Sequence, residues 1–161
     1  MSQTPIQFKL NGEDKIELVP GGMTLVVLLR EKLGVMSPKI GCMQGGCGCC
    51  TVLVDGEPQV ACLTLAENCD GKSIETVEGI GRDGGLHPLQ QAFMDQFAAQ
   101  CGFCTTGMIM AAKALLDKNP NPTRADVVEA ISGNICRCTG YEPIINAVLA
   151  AAQNRGSYRP A

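Results

Sequence analysis

Two hydrophobic periods follow one another along the chain. Ile6, Phe8 and Leu10 alternate with polar neighbours, Asn11-Gly12 interrupts them, and Ile16 and Leu18 resume the alternation. A period of two on either side of an Asn-Gly pair predicts a β-hairpin. From Thr24 the spacing turns helical: Leu25, Leu28, Leu29 and Leu33 recur on one face, Thr24 offers a cap and Gly34 a stop. A glycine- and cysteine-rich loop runs from Gly41 to Cys50. After it, Thr51 to Val54 predicts a strand entering an Asp55-Gly56 turn, and a further strand is expected near Ser73 to Val77.

Gly79 to Gly85 reads as a linker, and beyond it the period is about 3.6. Pro88 starts a helix with Leu89, Ala92, Phe93 and Phe97 on one face. Gly107 to Lys118 makes a second, with Met108, Met110, Leu115 and Leu116 as core, and Asn119-Pro120-Asn121-Pro122 breaks it. Thr123 with Asp126 gives a capping-box start to a third helix through Ile131, ended by Gly133; Pro143 opens a fourth to about Ala152. The tail after Gln153 is expected to be loose. The pattern predicts an α+β chain in two units, a mixed one over 1–78 and an all-helical one over 79–161.

Two units from 161 residues are each short of core, so something besides apolar packing is expected to support them. The ten cysteines are the candidates. Disulfides require an oxidising compartment, and the opening Met1-Ser2-Gln3-Thr4-Pro5 has neither a basic region nor a following apolar run. The expectation is a cytoplasmic chain with reduced thiols and no membrane insertion. Net charge −3, no Trp and few other aromatics leave neither the basic stripe nor the stacking platform of a nucleic-acid binder.

Cys42, Cys47 and Cys50 followed by Cys62 have C-x4-C-x2-C spacing with a distant fourth member, the plant-type ferredoxin pattern for a [2Fe–2S] cluster. An anionic cluster needs four thiolates and converging backbone N–H groups, and Gly41, Gly45, Gly46 and Gly48 allow the tight curl that presents them. Cys101, Cys104, Cys136 and Cys138 form two close pairs separated by a helical hairpin. Taken alone, this second set suits either zinc or another cluster.

The runs Gly41-Cys42-Met43-Gln44-Gly45-Gly46-Cys47-Gly48-Cys49-Cys50, Gln100-Cys101-Gly102-Phe103-Cys104 and Gly133-Asn134-Ile135-Cys136-Arg137-Cys138-Thr139-Gly140-Tyr141 resemble, in order and spacing, the small subunits of the molybdenum hydroxylases, the xanthine dehydrogenase and aldehyde oxidoreductase group. The resemblance implies a β-grasp ferredoxin-like domain followed by a four-helix domain. It implies two [2Fe–2S] clusters, one on Cys42, Cys47, Cys50 and Cys62 distal to molybdenum, and a proximal one on Cys101, Cys104, Cys136 and Cys138. It also places Gln100 and Cys138 against a molybdopterin cofactor held by a separate large subunit. A medium FAD-binding subunit would accept electrons, in a hetero-oligomer that extends in some members to a dimer of heterotrimers. The implied function is electron relay in an oxidoreductase whose substrate chemistry occurs on another chain.

Two positions depart from the family: Cys49 stands where Ala is usual and Thr106 where Pro is common. Cys49 rivals Cys50 as a ligand, but choosing it would shorten the required x2 spacing. Cys69 is left over as a small buried hydrophobe. Gly79-Ile80-Gly81-Arg82-Asp83-Gly84 satisfies G-x-G-x-x-G, yet no helix leading back to a parallel strand follows, so it reads as linker. His87, the single histidine, rules out a Rieske centre and reads as a helix-entry residue. Arg137 either offsets cluster charge or is a surface residue. No nucleophile, base and orienting group occur together, so no catalytic residue is assigned. The rival readings are a freely diffusing two-cluster ferredoxin and a zinc-stabilised interaction module.

Overall fold

The computed structural model describes residues 3–81 and 84–154. The hairpin is present: β1 (Gln3–Leu10) and β2 (Glu13–Pro20) pair antiparallel. Both turn residues have positive φ, Asn11 at 53° and Gly12 at 89°, which matches the turn to the right-handed twist of the strands. Ile6, Phe8 and Leu10 are buried as expected. Ile16 and Leu18 are not their inward counterparts. The register sets Ile16 opposite Gln7 and Leu18 opposite Pro5, on the outer face, and Ile16 is 71% exposed. Val19, opposite Thr4, is the β2 residue that enters the core.

A turn of α-helix, α1 (Leu25–Val27), continues into a wider π-wound turn over Leu28–Lys32, burying Leu25, Val26, Leu28 and Leu29. Thr24 occupies the N-cap position, but its hydroxyl makes no capping bond. Entry is fixed instead by tertiary backbone bonds, Leu25 N donating to Thr64 O at 2.7 Å and Val26 N to Ala61 O at 3.0 Å.

β3 (Thr51–Val54), β4 (Glu57–Val60) and β5 (Ser73–Glu75) complete a five-stranded sheet of order β2-β1-β5-β3-β4. Only the β1–β5 pairing is parallel, giving the mixed sheet of a β-grasp fold. β4 has no counterpart among the sequence expectations. It is an edge strand carrying Pro58, with Glu57, Pro58 and Gln59 exposed, so it has no apolar alternation to betray it. β3 is buried on both faces: Val52 and Val54 join the core under the sheet, while Leu53 joins the core of the helices. That two-sided burial explains its uninterrupted apolar run.

The second half holds α2 (Pro88–Asp95), α3 (Thr105–Lys118), α4 (Arg124–Ile131) and α5 (Glu142–Gln153) around Leu89, Met108, Met110, Leu116, Val127 and Ile144. His87 is the expected entry residue: its Nδ1 accepts from Leu89 N at 3.1 Å while Gln90 Oε1 accepts from His87 N at 2.8 Å. The Thr123–Asp126 capping box is also present, with bonds of 3.2 and 2.7 Å. Phe97 departs from expectation. α2 ends at Asp95, and Phe97 turns to φ 54° and lies 82% exposed. Linker residues Arg82 and Asp83, and the tail beyond Asn154, lie outside the described residues.

Candidate metal centres

The loop before β3 is shaped by three residues at positive φ, Met43 at 55°, Gly45 at 76° and Gly48 at 68°. Its curl brings Cys42 and Cys47 side by side and turns backbone N–H groups onto Cys42 Sγ. Gln44 N approaches that sulfur at 3.5 Å, and this donor, with the Cys47 side chain and the N–H groups of Cys47 and Gly46, lowers the Cys42 thiol to about 7. The β3–β4 hairpin then returns the chain. Ala61 N donates to Cys50 O at 3.2 Å, setting Cys62 beside Cys50, and both are buried. Burial pushes the Cys50 thiol up to about 11.

The second set assembles from two loops. Cys101 and Cys138 lie exposed with their sulfurs 3.6 Å apart, while Cys104, at the start of α3, and Cys136 are buried neighbours. Burial drives Cys104 up to about 12. Cys136 is lowered overall: burial opposes ionisation, but the Thr139 hydroxyl at 3.1 Å and the N–H groups of Thr139 and Cys138 outweigh it. Tyr141, in left-handed backbone at φ 69°, accepts from Cys136 N at 3.0 Å and so braces the loop from below. Gln100 is exposed and directly precedes Cys101, whose sulfur lies 3.6 Å from that of Cys138.

The eight sequence-selected sulfurs thus come as pairs: Cys42 with Cys47, Cys50 with Cys62, Cys101 with Cys138, and Cys104 with Cys136. Among the described residues, no three His, Cys, Asp or Glu groups are placed to hold one metal ion. Paired thiols suit a dinuclear core, in which each iron takes two protein ligands. The surroundings fit such a core as well. N–H donors face Cys42, Cys101 and Cys136, α3 starts at Cys104 with the positive end of its dipole, and Gly41 leaves space that a Cβ 2.9 Å from Cys47 Sγ would fill.

Cys49 and Cys50 belong to different cores, the helical one and the one under the sheet, although the Cys49 thiol also lies against that of Cys47. Cys49 packs in the helical core with Leu53 and Cys104, its sulfur 3.8 Å from Cys47 O, and burial pushes it up to about 12. Cys69 is the expected small hydrophobe, buried beneath the sheet with its thiol 3.6 Å from Leu65 O. Thr106 has a definite task, donating its hydroxyl to Ser37 O at 2.7 Å across the two halves. Arg137 is exposed. Sequence reasoning missed the roles of Thr139, Tyr141, Gly107 and Asn134, which act through three-dimensional neighbours and carry no periodic signal.

Residues 8–76 match the family described as the 2Fe-2S iron-sulfur cluster binding domain, and residues 76–149 match the [2Fe-2S] binding domain. The nicotine 6-hydroxylase small subunit of Paenarthrobacter nicotinovorans is 48% identical, over 94% of this chain and 92% of its own. This chain belongs to the small iron–sulfur subunits of the molybdenum hydroxylases. The iron–sulfur subunit also matches a chain of quinoline 2-oxidoreductase from Pseudomonas putida 86 with a TM-score of 0.92 and 47% identity, covering 97% of this chain and 99% of that one. Aldehyde oxidoreductase from Desulfovibrio desulfuricans matches at a TM-score of 0.89 and 46% identity over 92% of this chain, which spans only 17% of that longer polypeptide. The subunit therefore carries two [2Fe–2S] centres and serves electron transfer in a larger oxidoreductase with a molybdenum-binding partner. Among the described residues, no helix is long and apolar enough to cross a membrane.

Proposed function

We propose that Cys42, Cys47, Cys50 and Cys62 hold one centre and Cys101, Cys104, Cys136 and Cys138 the other, in units divided near residues 78 and 79. When bound, a [2Fe–2S] core supplies a one-electron couple. The chain's own residues do the rest: N–H donors to the sulfurs favour added negative charge, and buried Cys50, Cys62, Cys104 and Cys136 limit water around it. The observation that carries the relay reading is direct contact between the two loops, Ile135 N donating to Cys47 O at 2.9 Å. Each of these residues is one position from, or part of, a different sulfur set.

The surface bearing exposed Gln100, Cys101 and Cys138 is the face we assign to the molybdopterin of the large subunit. Electrons leave from the Cys42 end to a flavin subunit, in a cytoplasmic hetero-oligomer. Relatives named for nicotine and quinoline, matched nearly end to end, favour an N-heteroaromatic compound as the substrate oxidised on the large chain. The complex isolated anaerobically through this subunit should contain about four iron and four acid-labile sulfide per copy, together with molybdenum. A colourless chain containing zinc instead would overturn the assignment.

A further inference from the structure

Asn134 lies two residues before Cys136 and is buried, its backbone N closing the turn after α4 onto Ile131 O at 2.9 Å. Its side chain serves the other half of the molecule. Nδ2 donates to Gly48 O at 2.9 Å, in the loop between Cys47 and Cys49, and lies 3.4 Å from Thr51 Oγ1. The same carbonyl accepts from Thr51 N at 3.1 Å and from Thr51 Oγ1 at 2.7 Å. From α3, Gly107 packs so closely that a Cβ there would stand 2.3 Å from this oxygen.

Ile135 donates to the preceding carbonyl, that of Cys47, at 2.9 Å. Two successive carbonyls of the first cysteine loop are therefore held by two successive residues of the second. Without the Asn134 donor the Gly48 carbonyl keeps only its two bonds from Thr51, so more of its negative end is left uncompensated near the thiolates, which disfavours an added electron. Gly48, at φ 68°, carries no side chain to hold that peptide in place, so its orientation depends on the donors to its carbonyl.

We propose that Asn134 is a positioning residue that fixes the Gly48 peptide, and so sets both the potential of the Cys42–Cys62 centre and its coupling to the Cys101–Cys138 centre. This rests on the ligand sets proposed above. A role confined to holding the halves together is the competing account, and it affects stability alone.

The test uses the whole complex with Asn134→Ala and, separately, Gly107→Ala. The second crowds the Gly48 carbonyl while leaving the Asn134 side chain in place, so it displaces the same peptide without deleting the amide. Redox titration followed by electron paramagnetic resonance should show the midpoint of the first centre moved to more negative values in both variants, and the second centre's midpoint unmoved. The splitting between the two reduced centres should shrink. Unchanged midpoints and splitting in iron-replete variants, even with a lower unfolding temperature, would overturn the proposal. Should Asn134→Ala lose iron, wild-type potentials in Gly107→Ala overturn it equally. An iron-free wild-type complex is a different failure, that of the ligand assignment.

Discussion

The ammonium of Lys113 in α3 lies 2.9 Å from the Glu75 carboxylate of β5 and 2.6 Å from Asp117 one turn further along its own helix. Its side chain is only 6% exposed, so a charge is carried into the seam between sheet and helices and matched there by two acids. Burial alone would lower this ammonium, but Asp117 and Glu75 together raise it above the ordinary lysine range. The ion pair sits directly beside the apolar part of the seam, since Leu53, which packs into the helical core, is the cross-strand partner of Glu75.

Lys113→Met should destabilise the chain by about 2–3 kcal/mol, because it leaves two partly buried carboxylates without their cation. Denaturant unfolding measures this. The sign of the pH effect follows from a raised value: stability from the pair is fully present below the unfolded lysine value near ~10.4 and is lost as pH rises through the folded one.

Acid acts on a different junction. Glu78 accepts from Ser37 N at 2.9 Å, from the Ser37 hydroxyl, and from Thr76 Oγ1 at 2.7 Å. Burial raises its carboxyl, but these donors outweigh burial and leave it below the usual range. A depressed value contributes stability above the unfolded glutamate value near ~4.3, lost as pH falls through the folded one. Glu78→Gln should flatten that acid limb of the stability profile and cost on the order of 1 kcal/mol at neutral pH, a modest figure because the residue keeps much of its surface in water.

Cys104→Ala should remove one centre, halving the iron and bleaching one visible and paramagnetic signal. Turnover with a dye acceptor of the flavin should stop. Full turnover would contradict the assignment of Cys104 to the centre nearest molybdenum.

The neighbouring thiols Cys49 and Cys50 give a sharper contrast. Cys49→Ala should keep full iron content and lose roughly 1 kcal/mol of packing, whereas Cys50→Ala should lose the first centre. Iron analysis beside thermal unfolding separates the two.

The fold was legible where spacing carried it. The Asn11-Gly12 turn, the Thr123–Asp126 box and the His87 entry are local devices whose chemistry is written in adjacent residues. β4 was not, because an exposed edge strand with Pro58 has no inward face to advertise it. Ile16 and Leu18 marked the second strand of the hairpin but not its face: alternation reveals a period of two, while pairing with β1 decides which side is inside. Thr24 makes no cap bond because Leu25 N and Val26 N donate instead to the carbonyls of Thr64 and Ala61. At the site, cysteine spacing exposed the sulfurs, since ligand count and loop length are sequence properties. Asn134 and Tyr141 were invisible as braces because their partners, Gly48 and Cys136, are determined by packing.

Cys101 and Cys138, on the outer surface with sulfurs 3.6 Å apart, carry a further consequence. Two solvent-facing thiols so close are an easy target for air oxidation, and a disulfide there withdraws both sulfurs from iron. Reconstitution of this subunit from apo chain therefore demands a reductant before iron is added. In the cell, the same chemistry favours loading the metal early and sealing that face against its partner soon afterwards.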